Sequence, residues 1–573
     1  MDDITTPNPE PAGAKPSSVP VKRAETSPEA PKAPSDQAIE PLEPLDVLES
    51  PPIRTKLRIY SILTSLYLVL FVAALDQTIV ATSIPTISAS LHSASGYIWI
   101  GGAYLLANAA AGPIWAKCSD IWGRKPALLS AVGIFAVASV IAALSSSMQM
   151  LIAARALQGA AGGALMQLVT ITISDLFSPR RRSLYFGLLG LVWAVAASAG
   201  PLVGGALTEL ASWRWCFWIN LPVCGLAFML LLLLLDVHNP RTKLGEGIRA
   251  IDWFGTFSIL AVTILLLLGL DFGGAIFPWN SPKVICLIAF GAAMIGFFLF
   301  SEKRLAKYPL MPLSIFQNCS NNATFVLAFM HSMVSIGVEY YLPLYFQSVK
   351  QAFPFHSGLL IIPMMITEAA VDISVGILIH RTGRYREIIW AGVVLMTLGT
   401  GLYITFGIDT STAKIIGLEI VGGLGPALLF QAPVLVIQNT AKQADTASAT
   451  AALGFTRNLA TALSIVLGGV MFQNSMASRQ PSLVAAGLSD SLLNALSGDQ
   501  AAANVEIIQT IQDASQRLAV QDAFAWSIRN MFIMYTAVAG VAMVASVFIK
   551  HKRLSTEHTE TKTGIQELTQ RES

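Results

Sequence analysis

The residues of this chain that could do chemistry are the ionisable side chains inside apolar runs, because each is costly in hydrocarbon and needs a partner or a water-lined path. Arg155 is the sharpest case, in Leu151-Ile-Ala-Ala-Arg155-Ala-Leu-Gln158-Gly159-Ala-Ala-Gly162-Gly163. A guanidinium keeps its charge. At helical spacing Arg155, Gln158, Gly159, Gly162 and Met166 share one face, so the charge lies on a surface whose glycines admit a close neighbour. That face should point inward, with Arg155 lining a cavity or meeting a carboxylate. The candidates are Asp76, Glu368 and Asp372. Glu368 and Asp372 stand four residues apart and share a helix face, where burial and mutual repulsion favour the neutral acid in at least one of them; such a group can carry a proton. The competing reading pairs one of them with Arg457 or sets it in a watery vestibule. Glu339 and Glu419 fall nearer the ends of their apolar runs and read as solvated, structural residues.

The elements that must position these groups are membrane helices. With 573 residues, 54% hydrophobic and 13% charged, the chain is too apolar for a soluble globular protein. The formal net charge of +2 gives no reason for a nucleic-acid partner. The five cysteines have no paired spacing, so neither a disulfide framework nor a metal site is expected. No Gly-x-x-x-x-Gly-Lys-Ser/Thr loop is present, the histidines form no metal-ligand grouping, and no nucleophile elbow appears. ATPase, metalloenzyme and hydrolase chemistry drop out, leaving transport, channel or receptor work with no cofactor.

At about 20 residues per span, apolar segments run near 57–80, 97–116, 126–145, 151–176, 184–207 and 214–236, then near 252–271 and 283–300, then near 321–347, 357–380, 387–407, 413–438, 446–472 and 528–549. The fold class is therefore an all-α polytopic membrane protein. Residues 1–52 read as a disordered cytoplasmic tail, 57–236 as one six-helix bundle, 237–320 as a linker carrying two extra helices, 321–549 as a second six-helix bundle, and 550–573 as a cytoplasmic tail. The segment 473–525 reads as an outer loop in which Val505, Ile508, Ile511 and Leu518 could form an amphipathic cap. Lys and Arg cluster in alternate loops, as at Arg180, Arg181 and Arg182 or Arg381, Arg384 and Arg386, which puts both termini in the cytoplasm. The sequons at Asn318 and Asn322 then face the cytoplasm and read as chance matches.

Three motifs add detail. The loop Ala116-Lys-Cys-Ser-Asp120-Ile-Trp-Gly123-Arg124-Lys125 offers a tight turn, an Asp120 that can accept helix N-terminal N–H groups and an Arg124 that can latch onto a carboxylate such as Asp175, and Gly376 to Arg384 echoes it in the second half. That echo suggests a duplicated transporter with its site between the halves. Gly200-Pro201-Leu-Val-Gly204-Gly205 permits close packing around a weakened helix, a plausible hinge or seal.

On these residues the chain resembles the major facilitator superfamily and, within it, the fungal 14-spanner drug:proton antiporters, which include toxin and secondary-metabolite efflux pumps. Leu75-Asp76-Gln-Thr78 resembles the first-span motif whose Asp is linked to proton or substrate handling. Asp120, Gly123, Arg124 and Lys125 match the gating loop, and Arg155 with Gln158 and Gly159 matches the motif whose Arg is assigned to proton coupling. Gly200, Pro201, Gly204 and Gly205 match the antiporter motif. Trp213-Arg-Trp-Cys-Phe-Trp-Ile-Asn220-Leu-Pro222 and Ile251-Asp252-Trp-Phe-Gly255 look like this group as well. Ala116 and Ala196 stand where the patterns have Gly, and His380 where the second loop would have Asp. Glu368 and Asp372 belong to no matched motif.

The resemblance implies two six-helix bundles plus two bridging helices and proton-driven export of drugs, toxins or mycotoxins from a single chain in the plasma membrane. A vacuolar, siderophore or amino-acid carrier of the same fold is the alternative, and a non-transporting sensor a third reading. Tyr104, Gln158, Trp193, Tyr341, Gln431 and Phe455 are the candidate substrate contacts.

Overall fold

The computed structural model describes residues 55–80, 82–91, 96–274, 277–497, 500–557 and 563–565, so the expected N-terminal tail lies outside the described residues. Six long helices come first: α1 Lys56–Ile79, α2 Gly96–Trp122, α3 Arg124–Ala143, α4 Met148–Leu176, α5 Pro179–Leu210 and α6 Asn220–Leu234. Two more follow, α7 Trp253–Phe272 and α8 Pro282–Arg304. The second set is α9 Cys319–Ser348, α10 Pro354–Thr382, α11 Arg386–Leu402, α12 Thr412–Phe430, α13 Thr446–Ala485 and α14 Ala514–Val547, with Ala432–Thr440 carrying α12 onward past a break at Gln431. Thirteen of the described helices are long and apolar enough to cross a membrane. Helix α2, rich in Ala and Gly, spans 27 residues or about 40 Å and supplies the remaining length.

Local chemistry sets the ends. Thr55, Ser147, Asp252 and Ser411 accept backbone N–H groups at the starts of α1, α4, α7 and α12, and Pro179, Pro282 and Pro354 open α5, α8 and α10, where a missing N–H does no harm. Gly383 ends α10 at φ +69°, a left-handed position that suits glycine.

Within the first bundle, small residues set the distances. A Cβ on Gly159 would lie 2.1 Å from the Tyr104 carbonyl oxygen and one on Gly163 would lie 2.5 Å from that of Asn108, so α4 and α2 pack backbone to backbone. Helices α7 and α8 pack on each other, and α7 also touches α2 and α13. The two bundles meet chiefly where α5 lies along α10 and α13 along α2.

The segment expected as one outer loop is built differently. Helix α13 runs on to Ala485 and α14 starts at Ala514, leaving only short turns of helix between them. Val505, Ile508 and Ile511 are buried while Leu518 is exposed on α14, so these four do not form one amphipathic face. Apolar windows end where side chains turn polar, but the helical hydrogen-bond ladder needs no apolar side chain to continue past the membrane. All five cysteines are free thiols.

Candidate functional site

Two arrangements of ionisable groups stand out, one in each bundle. In the first, α1, α3, α4 and α6 bring Asp76, Ser139, Arg155, Gln158 and Asn220 together. The Arg155 guanidinium stands 2.5 Å from Asp76 Oδ2, with the two side chains 2% and 0% exposed. Arg155 also donates to the Ile100 carbonyl at 3.1 Å and to Gln158 Oε1 at 3.0 Å. The other carboxylate oxygen of Asp76 accepts from Gln158 Nε2 at 3.0 Å and from Asn220 Nδ2 at 2.7 Å. Ser139 Oγ accepts from both amides, at 2.8 Å and 3.3 Å. The guanidinium lies 4.4 Å from the centre of the Tyr104 ring, a cation–π contact. An ion pair with this many charge-assisted hydrogen bonds is closed upon itself.

The second arrangement lines a cavity of about 550 Å³ between the bundles. Its ionisable wall residues are His331, Glu339, Glu368, Asp372 and Arg457, all from α9, α10 and α13. The opposite wall is apolar and amide-bearing, with Trp99, Leu105, Trp193, Gln77, Asn108 and Gln167, and α7 contributes Leu267 and Leu268. Among the described residues Arg457 has no ion-pair partner; it donates to the Phe430 carbonyl at 2.6 Å and lies 5.3 Å from that ring. Asp372 is 4% exposed and its Oδ1 has no hydrogen-bond partner. Its carboxyl fits against Gly190 of α5, where a Cβ would lie 2.1 Å from Oδ2.

Of the six candidate substrate contacts, Trp193 and Gln431 line this cavity. The other four do not. Tyr104 and Gln158 are fully buried in the Asp76–Arg155 cluster, Tyr341 turns its hydroxyl to the Ile465 carbonyl at 2.6 Å, and Phe455 packs on the hydrophobic core. Glu339, expected near a solvated helix end, lines the cavity instead. Glu419, expected to be solvated, is 0% exposed, and neither carboxyl oxygen has a partner. Seven residues from the start of α12 is only about 10 Å along the axis, but neighbouring helices cover that depth. Asn220 and Ser139 were not singled out by sequence as partners of Asp76; a lone amide at the head of an apolar helix was the available signal for Asn220.

At the end of the molecule that carries the basic loops, the bundles are joined. Arg180 of α5 donates to the carbonyls of His380 and Arg381, Ser183 Oγ to the Gly376 carbonyl at 3.1 Å, and Arg182 to Gln438 Oε1 at 3.3 Å. A Cβ on Gly376 would lie 2.6 Å from the Ser183 carbonyl oxygen, so α5 and α10 close tightly there. At the turn between α2 and α3 Arg124 stands 2.7 Å from Asp120 and 2.6 Å from Asp175. Gly123 makes the turn at φ +96°, while Lys125 lies outside the latch and donates to the Leu232 carbonyl at 2.8 Å. On α5, Cβ atoms on Gly200 and Gly204 would come within 2.1 Å of Thr78 Oγ1 and 2.3 Å of the Ile79 carbonyl oxygen of α1, whereas Gly205 faces open space. Pro201 lies inside α5 without ending it.

Residues 66–465 match the Major Facilitator Superfamily. The chain is 45% identical over 514 residues to the MFS-type transporter ppz2 of Metarhizium majus, covering 89% of this chain and 88% of that one. It is 43% identical over 505 residues to the efflux pump dotC of Dothistroma septosporum, covering 88% and 86%. The fold is similar to that of the proton:xylose symporter XylE, with a TM-score of 0.55 at 15% identity, over 90% of this chain and 99% of that one. The chain belongs to the major facilitator superfamily.

Proposed function

We propose that this protein exports small organic molecules, such as drugs, toxins or fungal secondary metabolites including mycotoxins, in exchange for protons. The observation that carries the reading is the cavity between the bundles, joined shut at the basic end and lined by Glu339, Glu368 and Asp372, with Asp372 Oδ1 left without a hydrogen-bond partner. Such a cavity serves alternating access: with the basic end closed, substrate and proton exchange at the other end, and opening the α5–α10 seam exposes the same groups to the cytoplasm. The names of the relatives, an MFS-type transporter and an efflux pump, support export. By the positive-inside rule the closed end is cytoplasmic, with both termini on that side of the plasma membrane.

Roles follow from partnership. Glu368 and Asp372 carry the proton, since both face the cavity and Asp372 Oδ1 has no hydrogen-bond partner. Asp76 and Arg155 hold the first bundle and act on coupling through its shape. Asp120, Gly123 and Arg124 latch the cytoplasmic side, Gly200 and Gly204 seal α5 on α1, and Trp193 and Gln431 contact substrate. No cofactor is required, because the proton gradient drives the cycle, and a single chain encloses the whole site. Import into a vacuole uses the same machinery and is separated from export by locating a tagged protein.

The test is uptake into proteoliposomes under an imposed pH gradient, with a panel of fungal secondary metabolites. Wild type should accumulate at least one of them only with the gradient, and Glu368→Gln should abolish that dependence, while Asp76→Asn and Arg155→Ala lower the rate. Gradient-independent uptake in all four proteins would overturn proton coupling.

A further inference from the structure

Beyond α14 the chain does not leave the molecule but runs along its basic end. Ile549 and Leu554 are buried there, and polar bonds fasten the segment to the second bundle. The Lys550 N–H donates to Ser320 Oγ of α9 at 3.0 Å. The hydroxyl of Tyr385, between α10 and α11, donates to the Lys550 carbonyl at 3.1 Å and accepts the Lys552 N–H at 2.9 Å. Asn439 Nδ2 donates to the Lys552 carbonyl and Lys552 Nζ to the Asn439 carbonyl, each at 3.0 Å.

The next two residues join the bundles. Leu554 donates its N–H to the carbonyl of Gly383, at the end of α10, at 3.1 Å, and the Ser555 carbonyl accepts the N–H of Arg180, in the first turn of α5, at 3.2 Å. A first-turn N–H has no partner within its own helix, and that of Arg180 finds one in this segment. The same two helix ends are tied by the Arg180 side chain on the His380 and Arg381 carbonyls, and by His380 Nδ1, 3.1 Å from the Arg180 carbonyl. Farther along, the Gly564 N–H donates to the Asp120 carbonyl of α2 at 2.8 Å, and Ile565 packs against the apolar cluster of Ile121, Ala250 and Tyr308. Gly564 has φ +122°, and a Cβ there would lie 2.6 Å from Pro240 Cβ, so this attachment needs glycine.

We propose that the C-terminal segment is an autoinhibitory strap, which holds the cytoplasmic end shut until Ser555 and Gly564 let go of the first bundle. Leu554 and Ser555 are consecutive, with Cα atoms about 3.8 Å apart, so they cannot stretch to follow Gly383 and Arg180 when α10 and α5 part. One of the two bonds must break. The second-bundle side is the better anchored, by Ser320, Tyr385, Asn439 and two buried apolar side chains, so the first-bundle side yields. A few hydrogen bonds and one packed isoleucine that exist only in the closed state favour that state severalfold without locking it. The strap lies at the seam rather than in the cavity, so it sets how often the cytoplasmic end opens and leaves substrate and proton contacts untouched. The proposal rests on the alternating-access reading above.

The test needs no substrate. In the full chain in lipid nanodiscs, Cys118, Cys286 and Cys319, the thiols that are not buried, are replaced by Ser. Spin labels go on Arg181→Cys of α5 and Glu387→Cys of α11, both exposed positions, and pulsed paramagnetic resonance reads the distance between them. The strapped chain should give a dominant short distance. Gly564→Val with Ile565→Asp, and separately a chain ended after Arg553, should each raise the long-distance population about fivefold, while Ile565→Val should leave it unchanged. Arg180→Ala, which cuts the seam but keeps the backbone bond to Ser555, should raise it as well. Distances unchanged in both strap variants overturn the proposal, as does a lowered melting midpoint with no change in distance, the mark of a segment that only stabilises the fold. If Arg180→Ala alone shifts the distances, the strap is lost and alternating access stands; if none of the variants shifts them, the alternating-access reading fails with it.

Discussion

Asp76 and Glu419 are both carboxyls on membrane helices and both are 0% exposed, yet their surroundings are opposite. Asp76 has a guanidinium on one oxygen and two amides on the other. Glu419 has no donor on either oxygen, and Asp372 leaves Oδ1 without one. The first bundle compensates the buried charge of Asp76 with its own side chains, and the second leaves both Glu419 oxygens and Asp372 Oδ1 without a donor. Burial of a carboxyl is thus no guide to its use; the inventory of donors around it is.

The largest test of the contrast removes a partner on the compensated side. Arg155→Met leaves Asp76 buried with amides alone and should destabilise the chain by about 3–5 kcal/mol, the usual effect of stranding one member of a buried pair. It should be read as a fall in the melting midpoint of purified protein in detergent. Arg457→Met, which removes a hydrogen bond to the Phe430 carbonyl and no ion pair among the described residues, should lower it far less. Equal losses at the two sites would erase the distinction between the bundles.

An intermediate effect of opposite sign is expected at Glu419. Replacing an unpartnered buried polar group with an apolar one of similar length removes a desolvation penalty, so Glu419→Met should raise the midpoint, by about 1–2 kcal/mol of stability. Asp76→Leu should lower it. If Glu419→Met lowers the midpoint as well, Glu419 has a partner in the folded protein and belongs with Asp76.

Much of this was legible in the sequence for definite reasons. The order of the apolar spans follows from run length, and the tight approach of Gly200 and Gly204 to a neighbouring helix from glycine spacing. Gly159 and Gly162, small residues on the face that carries Arg155, do both meet Tyr104 of α2. What escaped depends on three-dimensional neighbours. Tyr104 looked like a substrate contact because an aromatic on an inward face fits either role, and only the α2–α4 approach puts its ring over Arg155. Glu339 and Glu419 were misplaced because distance from a helix end stood in for exposure, whereas α9 and α12 are covered laterally by other helices. The choice among Asp76, Glu368 and Asp372 as partner of Arg155 could not be made along one helix, since it is fixed by how α1 lies against α4.

A third carboxyl sits between the two extremes and predicts the smallest effect. Asp252, just before α7, accepts the Gly255 N–H at 2.8 Å through Oδ1, while Oδ2 has no partner. Burial pushes its pKa above the usual carboxylate value, opposed by the Gly255 N–H and by Lys117. The folded chain therefore holds this proton more tightly than the unfolded chain. Stability from that source is fully present below the unfolded value near ~3.9 and is lost as pH rises from there through the raised folded value. Asn caps a helix about as well as Asp, so Asp252→Asn keeps the first turn of α7 while removing the titration. The variant should match wild type in acid and melt slightly higher at neutral pH, by up to about 1 kcal/mol, with a flatter dependence of midpoint on pH. A neutral-pH loss in Asp252→Asn would mean that the charge is compensated after all, by Lys117, and that the linker end of α7 follows the rule of the first bundle rather than the second.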